Sequence, residues 1–256
     1  MNFIVCGLEH SGTTLISDIL RAVPGCDSGF ECGVFLVEKP IQFLSLSPYC
    51  KNILEGWKIS ADDLNYCCEV ESHTLFFDRL YERSGLFLDN GQPKIRFDKT
   101  PRYISSIENV LQRSSLPAVA MIRDPRGIAW SDFTRSKRTI DEVDDWYLEW
   151  MPSKRNYMRS AYAGYEFCWA NSDLCHVIRL EDLCFRSLET IIKLDNFLSL
   201  PFSYGQFFLK DKRYAHTKGK SIDISIAVAH LSSLPSRISQ KVVEDFAEFE
   251  NWFFDF

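Results

Sequence analysis

The first residues of this sequence that could do chemistry form a glycine-containing loop close to the N-terminus. An apolar run at residues 3–6 gives way to Gly7, and a second glycine, Gly12, precedes an apolar segment that begins at Thr13. This order predicts a β-strand, a loop and the first turn of a helix, with the G-x-x-x-x-G interval of a phosphate-binding loop. Backbone N–H groups and the helix dipole would give such a loop a preference for anions.

One residue of the loop departs from the pattern of the nucleotide hydrolases. Their lysine directly after the second glycine is replaced here by Thr13, and the basic residue of the loop is His10, ahead of that glycine. The loop therefore keeps a phosphate cradle without the lysine that contacts a γ-phosphate. This combination predicts a phosphate-containing donor other than ATP.

The run His10-Ser11-Gly12-Thr13-Thr14-Leu15 resembles the 5′-phosphosulfate loop of the sulfotransferases, which use 3′-phosphoadenosine 5′-phosphosulfate (PAPS). The resemblance implies that residues 10–14 bind the phosphosulfate end of the cofactor and that His10 stabilises the leaving phosphate. The alternative is an ordinary Ser/Thr cap at a helix N-terminus.

A second motif follows the apolar run at residues 118–122, which predicts a buried strand. Arg123 ends this run, and Ser131 comes eight positions later. This arrangement is similar to the 3′-phosphate site of sulfotransferases, and a guanidinium with a hydroxyl suits a phosphate dianion. The alternative for Arg123 is a surface salt bridge with Asp124 or Glu181.

Three further segments extend the resemblance. Lys99-Thr100-Pro101 resembles a motif of bacterial, glycan and protein-tyrosine sulfotransferases, which implies that Lys99 reaches the oxygen bridging phosphate and sulfate; a solvated lysine is the alternative. Residues 177–183 and 197–201 resemble a structural segment of the family. Lys218 and Gly219 resemble a late loop over the 3′-phosphate, although a charged surface turn is nearly as good an interpretation.

The general base has two main candidates, His10 and Glu31, of which His10 lies in the loop that would contact the sulfate and is better placed for the leaving group. Sulfuryl transfer needs a group that takes the proton of the acceptor and positive charge that holds the leaving phosphate. Glu31 lies at the interval from the basic residue of the loop that the catalytic glutamate has in protein-tyrosine sulfotransferases, although its neighbours differ. His73 is the nearest equivalent of the histidine that cytosolic sulfotransferases use. We predict Glu31 as the base, with Lys99 and His10 as the other catalytic residues.

Composition agrees with one α/β domain over residues 1–256, built on a mostly parallel sheet flanked by helices. The 256 residues are 46% hydrophobic and include 20 Phe, enough for a large core. A net charge of −6, from 35 acidic and 29 basic residues, argues against nucleic-acid binding. We read neither a membrane span nor a signal peptide, and therefore expect a cytoplasmic protein. Its nine cysteines are expected to be reduced by default, with a single disulfide as the alternative.

The sequence thus predicts a PAPS-dependent sulfotransferase, closest in motif layout to the bacterial and protein-tyrosine enzymes. The predicted cofactor is PAPS, with 3′-phosphoadenosine 5′-phosphate (PAP) as its product and no required metal. The acceptor would carry a hydroxyl or amine on a carbohydrate, peptide, lipid or small molecule. The alternatives are a P-loop kinase or nucleotide-binding protein and a non-catalytic PAP-binding protein. The aromatic C-terminus, from Phe246 onward, is expected to dock on the core, or else to form a homodimer contact.

Overall fold

The computed structural model describes residues 1–87, 91–202 and 222–255. Its centre is a sheet of five parallel strands in the order β2-β3-β1-β4-β5. The strands are β1 (Phe3–Gly7), β2 (Cys26–Asp27), β3 (Ile95–Lys99), β4 (Ala118–Ile122) and β5 (Cys175–Arg179). The predicted α/β class and parallel pairing are confirmed. The edge strand β2 is only two residues long, too short to form an apolar run that the sequence would reveal.

Helices connect the strands and cover both faces of the sheet, as parallel pairing requires. Between β1 and β3 lie α1 (Thr13–Arg21), α2 (Tyr49–Gly56), α3 (Ala61–Cys68) and α4 (His73–Arg83). The later helices are α5 (Ile107–Ser114), α6 (Pro125–Ser136), α7 (Val143–Ala170), α8 (Leu180–Phe185), α9 (Ser187–Leu198), α10 (Ile224–Ser233) and α11 (Ser236–Asp245).

The sheet is buried on both faces, which explains why β1 and β4 are continuous apolar runs rather than alternating ones. A larger hydrophobic cluster lies on one face and a smaller one on the other. The aromatic C-terminal segment belongs to the larger cluster, where Phe246, Phe249 and Trp252 are buried. The predicted docking of this segment on the core is confirmed.

The register of the sheet brings the predicted site residues to one edge. Val5 pairs with Lys99 and Gly7 pairs with Met121, so the loop after β1, the end of β3 and the residues after β4 lie side by side. The carboxyl ends of parallel strands are where open α/β sheets bind ligands.

Within the three described ranges, no helix combines the length and apolar character needed to cross a membrane. All nine cysteines belong to the described part of the chain, and each is a free thiol.

Candidate active site

The loop after β1 depends on its two glycines. Gly7 has a φ of 140°, and a Cβ there would lie 2.3 Å from the carbonyl oxygen of Met121. Gly12, with a φ of 97°, is the N-cap of α1 and supplies no side-chain cap. The first-turn N–H groups of a helix have no acceptor within the helix, and a glycine cap does not occupy them with a side chain. The structure therefore differs from an ordinary Ser/Thr cap.

Other loop residues hold this conformation. Ser11 is buried, and its hydroxyl donates to the carbonyl oxygen of Leu8 at 2.6 Å. Tyr165, from α7, accepts a hydrogen bond from the Leu8 N–H at 2.9 Å and donates one to Met121 at 2.5 Å. Thr13 is buried, whereas Thr14 is partly exposed. Tyr165 thus joins the loop to the end of β4.

His10 has a positive φ of 69°, and its side chain belongs to a partly buried ion network. Its Nε2 lies 2.8 Å from Oδ1 of Asp132 on α6. The other carboxylate oxygen accepts hydrogen bonds from Lys154 Nζ and Trp150 Nε1, both at 2.7 Å, from α7. Burial works to raise the pKa of Asp132, but the hydrogen bond from His10 and the charge of Lys154 outweigh it and lower that pKa to about 2. Asp132 is therefore an acceptor, and His10 donates through Nε2.

Glu31 and Lys99, which the sequence predicts as base and leaving-group cation, form an ion pair between Glu31 Oε1 and Lys99 Nζ. The Lys99 side chain is 9% exposed and that of Glu31 is 24% exposed, so the carboxylate is the more accessible partner. The ring centroid of Phe30 lies 5.7 Å from Lys99 Nζ. The structure thus brings together two residues that lie 68 positions apart in the chain.

Arg123 is buried at the end of β4, with 6% of its surface exposed. It donates to the carbonyl oxygen of His10 at 3.0 Å and to that of Ile226, on α10, at 2.8 Å. Burial lowers the pKa of its guanidinium, an effect that the nearby Glu181 and Asp124 oppose. Arg123 is therefore not a surface salt-bridge residue. Ser131 lies on α6, partly exposed.

A buried carboxyl group lies behind Arg123. Glu181, on α8, is fully buried, and its Oε1 accepts the N–H of Asp124 at 3.1 Å. Burial raises the pKa of Glu181 to about 7, although the hydrogen bonds and Arg123 act in the opposite direction. This carboxyl group supports the turn after β4, in keeping with the structural role predicted for residues 177–183.

His73, the alternative base, lies at the start of α4 with 7% of its surface exposed. Its Nε2 lies 3.1 Å from the carbonyl oxygen of Val37, and its ring packs against Phe35. Burial lowers its pKa. The contacts of His73 connect it to the core, whereas those of Glu31 connect it to Lys99. Lys218 and Gly219 lie outside the described residues.

Sequence reasoning missed the residues that surround these side chains. Asp132 and Lys154 hold His10, and Asp98 and Thr100 hold the Glu31 loop. The sequence did show an acidic residue, Asp132, directly after Ser131, and another, Asp98, directly before Lys99. Contacts between residues far apart in the chain leave no periodic pattern, so the partners of these two carboxylates could not be identified.

No protein-family model and no curated protein sequence matches this chain. Among solved structures, the sulfotransferase domain of the olefin synthase from Synechococcus PCC 7002 has 18% identity and a TM-score of 0.60, covering 100% of this chain and 95% of that domain. The sulfotransferase domain of the curacin biosynthetic pathway has 18% identity and a TM-score of 0.51, covering 96% and 97%. A mouse sulfotransferase complexed with PAP has 10% identity and a TM-score of 0.54, covering 96% and 83%. The chain has the sulfotransferase fold.

Proposed function

We propose that this protein transfers a sulfuryl group from PAPS to a hydroxyl or amine acceptor. The observation that carries this proposal is the ion pair of Glu31 and Lys99 beside a glycine loop, at the carboxyl edge of the parallel sheet. A carboxylate and an ammonium at one point suit a reaction in which a proton leaves the acceptor while negative charge grows on a phosphate. The sulfotransferase fold supports the same reaction class.

The residues present fit PAPS. Gly7 and Gly12 let the loop pack closely against Met121 and Leu180, where a Cβ would collide, and the N–H groups of residues 12–14 would donate to the 5′-phosphosulfate. Nε of Arg123 is buried and has no hydrogen-bond partner among the described residues, so the guanidinium has a donor to offer to a 3′-phosphate. Ser131 would add a hydroxyl, and Lys218 with Gly219 stay a prediction for the same phosphate. When bound, PAPS would supply the sulfuryl group.

Each catalytic residue has a separate part. Glu31 removes the proton of the acceptor at its carboxylate, which is more exposed than the ammonium of Lys99. Lys99 has three N–H donors, of which one binds Glu31 and others remain for the leaving phosphate. His10, whose Nε2 donates to Asp132, would contribute to the leaving phosphate through a protonated Nδ1. The acceptor is a carbohydrate, a peptide, a lipid or a small molecule, and cofactor binding requires no metal.

Thermal unfolding with PAP, 5′-AMP or ATP, each with EDTA, tests the cofactor. PAP at about 100 times its dissociation constant should add about 2.7 kcal/mol of stability without metal. Equal shifts for PAP and 5′-AMP would rule out a 3′-phosphate site, and a shift only with ATP and Mg²⁺ would favour a kinase or nucleotide hydrolase. A screen of acceptors with labelled PAPS then tests transfer, and PAP binding without transfer would favour a non-catalytic binding protein.

A further inference from the structure

Two hydrogen bonds fasten the Glu31 loop to the end of β3. The N–H of Cys32 donates to Oδ1 of Asp98 at 3.1 Å, and the N–H of Gly33 donates to Oγ1 of Thr100 at 3.0 Å. The two acceptors lie directly before and after Lys99, the partner of Glu31. The loop and the strand end are therefore joined at successive residues, and the ion pair lies beside these two bonds.

Asp98 is the buried centre of this arrangement, with no exposed surface. Its Oδ2 accepts the hydroxyl groups of Tyr103 at 2.5 Å and Thr100 at 3.1 Å. A buried carboxyl group is costly unless hydrogen bonds satisfy it, and every partner just named is a neutral donor. The carboxylate of Asp98 is thus occupied by neutral hydrogen-bond donors and forms no ion pair with Lys99. Lys99 pairs with Glu31 instead.

The loop is held from its other side as well. Nε1 of Trp57 donates to the carbonyl oxygen of Phe30 at 2.6 Å, and a Cβ at Gly29 would lie 2.1 Å from the Trp57 ring. Gly33 has a φ of 77°, so the chain turns there in a conformation that glycine favours. With both ends of the loop fixed, a small displacement at residues 32–33 would move the Glu31 carboxylate.

We infer that Asp98, together with Thr100, is a positioning residue that holds the carboxylate of Glu31 at the ammonium of Lys99. The inference rests on the proposed function only for its kinetic consequence. Displacement of a base by about 1 Å costs up to about 100-fold in rate, because the reacting groups lose their alignment. PAP binding should depend on this bond far less than turnover does, since the cofactor residues named above, apart from Lys99, belong to other loops.

The test uses Thr100→Val, which keeps the shape of the side chain and removes the acceptor of the Gly33 N–H. Asp98→Asn is the second variant, and Thr100→Ser restores the hydroxyl. We expect Thr100→Val and Asp98→Asn to lower kcat about 10- to 100-fold and to leave the Kd of PAP within about twofold. Thr100→Ser should recover most of kcat. Thr190→Val is the matched control, because it removes another buried hydroxyl, which donates to the carbonyl of Asp182 on α8.

A second measurement requires no acceptor. Hydrogen exchange at the amides of Cys32 and Gly33 should become at least about tenfold faster in Thr100→Val and Asp98→Asn, and stay unchanged in Thr190→Val. Parental exchange at these amides in both test variants would overturn the inference, as would parental kcat. If the parent itself transfers no sulfuryl group to any acceptor, the proposed function fails, and the exchange measurement still decides whether Asp98 and Thr100 hold the loop.

Discussion

The two ends of the candidate cofactor site hold their charges in different ways. At the reacting end, Lys99 is paired with the carboxylate of Glu31, and neutral hydrogen bonds fix the surrounding backbone. At the phosphate end, Arg123 is held by two backbone carbonyl oxygens, with the buried carboxyl group of Glu181 nearby. The cation is thus held by a carboxylate side chain at the reacting end and by backbone carbonyl oxygens at the phosphate end.

This difference has a consequence for substitutions. A substitution of Glu31 or Lys99 removes one charge of the ion pair. The backbone N–H groups of Cys32 and Gly33 keep their hydrogen bonds to Asp98 and Thr100. A change at Arg123 removes a charge and also releases the carbonyl of His10, which belongs to the loop proposed to bind the phosphosulfate. The reacting end should therefore show effects on turnover, and the phosphate end should show effects on binding that extend to the loop.

The largest effect is expected for Glu31→Gln. The amide keeps the size of the side chain and cannot take the acceptor's proton, so turnover should fall by about 10²–10⁴-fold while PAP affinity stays almost unchanged. Steady-state kinetics with an identified acceptor and calorimetry with PAP make this measurement. Glu38→Gln, an exposed position seven residues later, is the control. Near-parental turnover in Glu31→Gln would show that another residue is the base.

Lys99→Ala sharpens this result. It should harm turnover more than PAP binding, because leaving-group charge grows only in the transition state. Since Glu31 and Lys99 form one pair, the double variant should cost little more than the worse single variant. Fully additive losses would indicate that the two residues act independently.

At the phosphate end, Arg123→Ala should weaken PAP binding by about 1.5–3 kcal/mol, or roughly 10- to 150-fold. The bond to the His10 carbonyl adds an expectation that sequence reasoning lacked: 5′-AMP should also bind more weakly, but by a smaller factor. Ser131→Ala should weaken PAP binding in the same direction and less. Calorimetry with both nucleotides makes the comparison.

Arg179→Ala is the matched control for Arg123→Ala. Arg179 ends the neighbouring strand β5 and also donates to backbone carbonyl oxygens, those of Trp252 at 2.5 Å and Asn251 at 2.6 Å. Its loss should affect stability and not nucleotide affinity. Equal losses of PAP and 5′-AMP in Arg123→Ala would mean that Arg123 acts only through the loop, and unchanged PAP affinity would place the 3′-phosphate site elsewhere.

The sequence predicted the motifs of the site better than their supports. β1 and β4 were readable because a strand buried on both faces is a short apolar run, and Arg123 follows from where the second run ends. β3 carries charged residues, and Lys99 came from the resemblance of its motif. Glu31 came from its interval to the glycine loop, on the strength of a resemblance. The supports were hidden for a physical reason: the bond from Cys32 to Asp98 spans 66 positions and uses a backbone N–H, which leaves no trace in residue type.

His10 shows the same limit. Its place in the loop was evident, but the Asp132–Lys154 network depends on how α6 and α7 meet. The residues that a motif contains are set locally, whereas the partners of those residues are set by packing. This is also why the pairing of Arg123 with backbone, rather than with Asp124 or Glu181 across a surface, could not be read from sequence.

The smallest effect concerns this network, which lies between the two ends. The hydrogen bond from His10 and the charge of Lys154 lower the pKa of Asp132 from 3.8 to about 2 against the opposing effect of burial, a net stabilisation of about 2 kcal/mol. Lys154→Met should therefore lower the free energy of unfolding at pH 7 by about 1 kcal/mol.

Because the folded pKa lies below the unfolded value, this contribution is complete above pH 4 and disappears as pH falls through 2. Denaturant unfolding should show parent and variant converging at acid pH. Lys193→Met, which removes an exposed ion pair with Glu189, should cost less, because solvent screens that pair. A loss for Lys154→Met no larger than this, or one independent of pH, would mean that Asp132 gains nothing from Lys154 and that His10 alone determines its ionisation.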